Sequence, residues 1–291
     1  MSNLSDIGHI KEVLTRHGFT FSKALGQNFL VNPSVCPRMA EACGVDENSC
    51  VLEIGPGIGV LTYELAKRAK KVIAVELDTR LLPVLKETLG EFDNVTVIHG
   101  DVIKLDLAEL LQRETNGEPV HVCANLPYYI TSPVIMRLLE EHLPIASITV
   151  MVQKEAADRI CALPGTRDVG AVSIAVRYYA EPEILFKVSR GSFLPAPNVD
   201  SAVIRLALRG EHPYEVQDEA NFFRVVRASF GQRRKTLSNS LSSGLSLSKT
   251  QLGTVLAKAE ISPTMRAEQL RMEDFLRLSD ALTAFQKESR G

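Results

Sequence analysis

Residues 51–66 read VLEIGPGIGVLTYELA, a short apolar run, a glycine-rich turn and the start of a helix. Glycines at 55, 57 and 59 let the backbone turn sharply and approach a ligand with no side chain in the way. In an open α/β sheet, ligands bind at the carboxyl ends of the strands, where this turn falls. The dinucleotide fingerprint is GxGxxG; here the spacing is GxGxG with Pro56 inside, which departs from the pattern of a nicotinamide enzyme. Taken alone, the stretch is a tight strand-to-helix turn.

The next strand gives the turn a meaning. VIAVELD (72–78) carries Glu76 twenty-one residues after Gly55, where an acid accepts both hydroxyls of a ribose. The third strand ends in His99-Gly100-Asp101, which puts an acid within reach of an adenine amino group. Either acid by itself is a solvated loop charge. Three successive strand ends carrying glycine turn, Glu and Asp describe a site for a ligand with an adenosine half. The pattern resembles the S-adenosylmethionine site of the Rossmann-like methyltransferases.

A fourth strand ends in ANLPYYITSP (124–133) on the same rim. Asn125-Leu126-Pro127-Tyr128 is similar to the (N/D/S)-(P/I/L)-P-(Y/F) motif of enzymes that methylate nucleobase amines. The lone pair of adenine N6 is delocalised into the ring, so an enzyme gains by accepting hydrogen bonds from its two N–H groups. The Asn125 side-chain oxygen and the Leu126 carbonyl supply two acceptors, and Pro127 fixes φ between them and Tyr128. The Tyr128 ring offers a face for stacking on a base. Ser132 and Pro133 are expected as N-cap and first residue of the next helix. A base inside a duplex cannot enter such a pocket, so the target is unpaired or flipped. In SFLPAPNVD (192–200), expected as a proline-stiffened loop, Phe193 is a candidate for a second aromatic face.

From residue 50 the chain alternates strands (50–55, 71–77, 94–100, 119–125, 147–153) with helices (59–69, 78–90, 106–114, 132–142, 154–162), and 183–189 and 201–208 extend the sheet. The expected fold class is α/β: a Rossmann-like methyltransferase domain with a mostly parallel, doubly wound sheet, followed by a small all-helical domain. The expected boundaries are 1–210, including a helical extension over 1–49, and 211–291. The 291 residues are 45% apolar and 23% charged, with net charge −2, which is ordinary for a soluble protein. Neither a signal peptide nor a membrane span is expected. Five cysteines with no CxxC pair argue against a disulfide framework or a zinc site, so a cytoplasmic protein without a metal is expected.

LGQNFL (25–30), EIGPGIGVLT (53–62), VELD (75–78), GD (100–101), NLPY (125–128) and SFLPAPNVDS (192–201) occur in the order found in the rRNA adenine N6-dimethyltransferases. The sequence resembles that family from about residue 20 to the C-terminus. The resemblance implies S-adenosylmethionine as cofactor, bound by Gln27, Asn28, Leu30, Gly55, Gly57, Glu76, Leu77, Asp101, Val102 and Asn125. It implies Asn28 and Leu30 at the methionine end, Glu76 at the ribose and Asp101 at the adenine. Asn125, Leu126, Pro127, Tyr128 and Phe193 form the implied catalytic set. NLPY together with LGQNFL favours the bacterial small-subunit branch, which dimethylates two adjacent adenosines in the 3′-terminal hairpin loop of 16S rRNA. The implied partner is 16S rRNA in the small ribosomal subunit or its precursor, and the enzyme is expected to be a monomer.

A nearly neutral chain can still bind RNA through a local patch. FFRVVRASFGQRRKTLSNSL (222–241) carries Arg224, Arg227, Arg233, Arg234 and Lys235 and no acid. Such a cluster neutralises phosphates and releases counterions, while Phe222, Phe223, Val225, Val226 and Phe230 face a core. Lys23 and the amino-terminal helix extend this surface in the same reading. Alternative readings are a nicotinamide-dependent oxidoreductase, a non-catalytic ribosome assembly factor and a 23S rRNA methyltransferase. The first leaves Asn125 to Tyr128 without a purpose; the second leaves an intact NLPY and glycine turn unused.

Overall fold

The computed structural model describes all residues except 1–3, 5, 22–26, 211–213, 233 and 289–291. The chain divides into two compact units, one of residues 1–157 and 181–208, the other of 158–180 and 209–291.

The first unit starts with α1 (Ile7–Arg16), a two-residue strand β1 (Phe29–Leu30) and α2 (Val35–Cys43). The main sheet then begins with β2 (Cys50–Ile54), followed by α3 (Val60–Ala66), β3 (Lys71–Glu76), α4 (Leu82–Thr88), β4 (Val95–His99) and α5 (Leu107–Thr115). It continues with β5 (Val120–Asn125), α6 (Thr131–Glu140), β6 (Ile145–Gln153) and α7 (Lys154–Ile160). Helix α8 (Ala171–Tyr179), part of the second unit, leads into β7 (Ala180–Val188), the short β8 (Phe193–Leu194) and β9 (Ser201–Leu208). Strand order is β4-β3-β2-β5-β6-β9-β7. The pairs β2–β3, β2–β5, β3–β4 and β5–β6 are parallel, and β9 joins β6 antiparallel. The order reverses between β2 and β5, and at such a switch point the loops above the sheet part and leave a crevice.

β2 is buried along its whole length, as expected of a central parallel strand covered on both faces. The core on one side packs Val13 of α1, Met39 of α2 and Leu65 of α3 over Val51 and Cys123. Two expectations need correction. The segment 192–200 is not all loop: Phe193 and Leu194 pair antiparallel with Leu30 and Phe29. Pairing is possible because both prolines lie beyond it, and the Val31 N–H donates to the Ser192 carbonyl at 2.9 Å. Ser132 is not an N-cap either. A 3₁₀ turn over Tyr128–Ile130 runs straight into α6, so the cap falls at Ile130. Pro133 still lies in the first turn, where its missing N–H breaks no helical bond.

In the second unit, α9 (Glu219–Phe230), α10 (Leu237–Leu245), α11 (Lys249–Lys258) and α12 (Met272–Glu288) make up the C-terminal part. Tyr178 and Tyr179 of α8 contact Phe222 and Phe223 with ring centroids 4.8–5.4 Å apart, and Phe230 stacks on Phe275. The aromatic side of α9 is therefore core, as its sequence predicts. Its amino-terminal end is fixed too: Asp218 accepts the Asn221 N–H, and Tyr179 donates to Glu219 at 2.6 Å. Gly244 of α10 lies where a Cβ would be 2.6 Å from that of Ala228, so only glycine permits this approach of α9 and α10.

Candidate active site

The glycine turn is held from both sides. The Gly55 N–H donates to the Val75 carbonyl at 2.9 Å, and Gly55 and Gly57 have φ of +69° and +62°. A Cβ on Gly57 would lie 3.2 Å from the Phe29 ring, so a side chain there is strained by conformation and tight against that ring. Glu76, the last residue of β3 and 6% exposed, accepts Gly57 N–H through Oε2 at 3.2 Å and Asp78 N–H through Oε1 at 2.8 Å. Burial raises its pKa, against the two backbone donors that favour the anion.

The third rim is ordered by the loop after β4. Asp101 Oδ1 accepts the Ile103 N–H at 3.0 Å, and Lys104 pairs with Oδ2 at 3.4 Å. Arg137 of α6 reaches across to this loop, donating to the Val102 carbonyl and to the Leu105 carbonyl at 2.6 Å. It thus holds Asp101 and Val102 in place from a neighbouring helix.

Asn125 ends β5, in register with Met151 of β6. The Leu126 N–H donates to the Met151 carbonyl at 3.1 Å, which ties the chain to the sheet one residue past the strand. The Pro127 carbonyl accepts the Ile130 N–H at 3.1 Å. The hydroxyls of Tyr128 and Ser201 are 2.9 Å apart, so the first residue of β9 positions the phenol. Burial raises the Tyr128 pKa, partly offset by this bond. A Cβ on Gly55 would be 3.9 Å from Pro127 Cδ, so the glycine turn and the NLPY turn are in contact distance across the switch point.

The amino-terminal segment makes the fourth wall. Gln27 donates to Asp78 Oδ2 at 2.7 Å, and the same carboxylate takes Arg80 at 2.6 Å, which holds its pKa low. The β1–β8 ribbon carries Phe29 and Leu30 and brings in Phe193 from 163 residues away. Phe193 is 4% exposed and belongs to the hydrophobic core while it lines the cavity.

These walls enclose one cavity of about 310 Å³. Every predicted cofactor and catalytic residue lines it: Gln27, Asn28, Leu30, Gly55, Gly57, Glu76, Leu77, Asp101 and Val102, then Asn125, Leu126, Pro127, Tyr128 and Phe193. Leu25 and Gly26 of the LGQNFL motif lie outside the described residues. The cavity also includes Glu53, Phe29, Ile103 and Tyr129, which sequence reading did not single out. Leu77, Ile103 and Tyr129 are large apolar side chains left open to solvent, and Tyr129 is 53% exposed. The available signal was their position immediately after, or two residues after, a strand-end acid or an NLPY turn. Burial raises the Tyr129 pKa, with the charges of Asp101 and Glu76 adding to it. Among the described residues, the lining holds three carboxylates and no Lys, Arg or His.

In the second unit, Arg224 and Arg227 are exposed on α9, and Arg234 and Lys235 are exposed in the turn before α10. Arg233 and Lys23 lie outside the described residues. Arg224 donates to the Leu245 carbonyl at 3.2 Å. Arg224 and Arg227 border a second hollow of about 360 Å³ with Gln232, Ser240 and Ser243.

The comparisons with known proteins give this geometry its place. Residues 18–284 match the family described as ribosomal RNA adenine dimethylase. The chain belongs to that family. It is 47% identical over 282 residues to the ribosomal RNA small subunit methyltransferase A of Clostridioides difficile (strain 630), covering 97% of this chain and 98% of that one. To the protein of the same name from Geobacillus thermodenitrificans (strain NG80-2) it is 51% identical over 279 residues, covering 94% and 95%. Among solved structures, it is similar to a dimethyladenosine transferase from Plasmodium falciparum, with 27% identity, TM-score 0.70 and coverage of 90% and 98%. It is likewise similar to the 23S rRNA methyltransferase ErmE, with 29% identity, TM-score 0.65 and coverage of 88% and 100%. A dimethylase of this family is an S-adenosylmethionine-dependent enzyme acting on rRNA adenine, and this chain is one. No helix among the described residues is long and apolar enough to cross a membrane.

Proposed function

We propose that the cavity holds S-adenosylmethionine along the rims of β2, β3 and β4, and that the adenine to be methylated enters beside the NLPY turn at the end of β5. The observation that carries this reading is the single cavity joining the glycine turn, Glu76, Asp101 and Asn125-Leu126-Pro127-Tyr128. The residues fit the cofactor chemically. Glu76 is a buried carboxylate for the ribose hydroxyls, Asp101 an acceptor for the adenine amine, and Leu77, Val102 and Ile103 apolar surface for the purine. Gln27, Asn28, Leu30 and Gly55 lie at the methionine end, and Gly57 leaves room for the backbone to approach.

When bound, S-adenosylmethionine supplies an electrophilic methyl group. The rest is done by this chain. Asn125 Oδ1 and the Leu126 carbonyl accept the two N–H bonds of adenine N6, which favours a tetrahedral nitrogen with an available lone pair. Tyr128 stacks on the base, with its phenol held by Ser201, and Phe193 closes the pocket opposite. No strong general base is needed, because the alkylated nitrogen is acidic and its proton passes to water. Arg224, Arg227, Arg233, Arg234 and Lys235 neutralise RNA phosphates.

The substrate in this reading is the pair of adjacent adenosines in the 3′-terminal hairpin loop of 16S rRNA, within the small ribosomal subunit or its precursor, in the cytoplasm. Support comes from the small-subunit methyltransferases that are 47–51% identical, against 29% for the 23S enzyme. The test is transfer of labelled methyl groups to small subunits lacking the modification, followed by mapping. N6,N6-dimethyladenosine at two neighbouring positions near the 3′ end is expected. Label in 23S rRNA, or none in any RNA, overturns the assignment.

A further inference from the structure

Asp78 lies two residues beyond Glu76 and is buried, with 7% of the residue exposed. Neither it nor Arg80 lines the cavity, yet together they reach Glu76, Gln27 and the segment ahead of β1. The Asp78 N–H donates to Glu76 Oε1 at 2.8 Å, which fixes one oxygen of the acid assigned to the ribose. Asp78 Oδ2 accepts Gln27 Nε2 at 2.7 Å. Arg80 closes on both carboxylate oxygens, with Nε 2.9 Å from Oδ1 and Nη2 2.6 Å from Oδ2. Its Nη1 donates to the Thr20 carbonyl at 3.2 Å, and the guanidinium carbon lies 4.9 Å from the centre of the Phe19 ring.

A local role explains only part of this. Asp78 caps the 3₁₀ turn over Thr79–Leu81 by accepting the Arg80 N–H at 3.0 Å, as any capping acid would. Capping uses Oδ1 and the backbone. It calls neither for Gln27, 51 residues earlier, nor for a guanidinium shared among a carboxylate, a carbonyl and a ring. A buried carboxylate needs a cation, and a planar guanidinium can bind it with two N–H groups while offering another sideways. From Phe19 the contacts run on through rings. Phe19 and Phe29 are 5.9 Å apart, Phe21 and Phe29 5.3 Å, and Phe29 lines the cavity beside Gly57.

We propose that Asp78 and Arg80 are positioning residues for cofactor binding: their ion pair seats Gln27 and Phe29 against the acid that ends β3, so that the ribose and methionine ends of the site form together. This rests on the reading that the cavity holds S-adenosylmethionine. In that reading Glu76 binds the ribose and Gln27 stands at the methionine end, and Asp78 is hydrogen-bonded to both. Loss of the pair therefore weakens cofactor binding without removing any group that touches the cofactor.

The test combines hydrogen exchange of the cofactor-free full chain with calorimetric titration by S-adenosylmethionine, for wild type, Arg80→Gln and Arg80→Lys. Arg80→Gln is expected to speed exchange in peptides covering Phe19–Thr20 and Gln27–Leu30, and to leave β2 and β5 as they are in wild type. Its affinity for S-adenosylmethionine is expected to fall about tenfold, the size of one lost charged hydrogen bond. In methyl transfer the loss falls on KM for the cofactor rather than on kcat. Arg80→Lys keeps the charge and loses the fork, so it recovers part of the affinity. Wild-type affinity in Arg80→Gln overturns the proposal, as does weaker binding with unchanged exchange at those peptides, or faster exchange across the whole sheet. If Arg80→Gln does not fold, Arg80→Lys decides: affinity and local exchange equal to wild type overturn the proposal, and a partial loss in both supports it. Wild-type protein that binds no S-adenosylmethionine overturns the cofactor reading and the proposal with it, whereas failure of the proposal alone leaves wild-type binding intact.

Discussion

The Gly57 amide donates to Glu76 Oε2 at 3.2 Å, so the glycine turn after β2 and the acid ending β3 form one hydrogen-bonded unit. The unit depends on two conditions that neither residue meets alone. Gly57 must take a φ of +62°, and Glu76 must stay buried at the end of β3, where burial raises its pKa against the two backbone donors.

Gly57→Ala tests the first condition. A non-glycine residue in this region costs about 1–2 kcal/mol, and the new Cβ would press on Phe29 at 3.2 Å. Titration calorimetry is expected to show S-adenosylmethionine affinity reduced roughly tenfold or more, a change of about 1.4 kcal/mol. Circular dichroism should show the helix content unaltered.

The Tyr128–Ser201 contact separates ring from hydroxyl. If stacking is the main contribution, Tyr128→Phe retains most of kcat/KM for rRNA methylation, within about threefold. Tyr128→Ala should then lose roughly 10- to 100-fold, in line with about 1–3 kcal/mol for a stacked base. Equal losses in the two variants would assign the effect to the hydroxyl and its 2.9 Å bond to Ser201.

Glu53 has a folded-state pKa of about 8 against a reference value of 4.5. Between those values the folded protein holds a proton that the unfolded chain has lost, so unfolding stability falls as pH rises through this window and levels off above it. Denaturant melts of the cofactor-free protein at pH 5, 6.5 and 8 are expected to show wild type losing stability relative to Glu53→Gln at each step. A constant difference between the two would contradict the burial-raised acid.

RNA affinity should respond to the basic residues through salt. Arg224→Gln and Arg227→Gln are each expected to reduce the slope of log affinity against log salt by about 0.7–0.9 with an rRNA hairpin fragment. Unchanged slopes in both would move the RNA contacts away from α9.

The sequence by itself determined the sheet class, the four strand-end signals and the apolar side of α9. These depend on periodicity and turn chemistry within a few residues, and the local backbone expresses them directly. Three other features were decided only by tertiary structure. The β1–β8 ribbon joins Phe29 and Leu30 to residues 193 and 194, an isolated two-residue pairing too short to leave a pattern. Helix α8 is buried at Ser173, Ile174, Ala175, Val176, Tyr178 and Tyr179, so it has little polar periodicity to betray it, and it groups with the C-terminal helices rather than with its chain neighbours. Glu53 looks like any strand acid in VLEIG, and becomes a buried carboxyl with a raised pKa only when α2, α3, β3 and β5 close around it. Local patterns arise from a chain's own geometry, whereas burial and charge environment depend on which distant segments pack together.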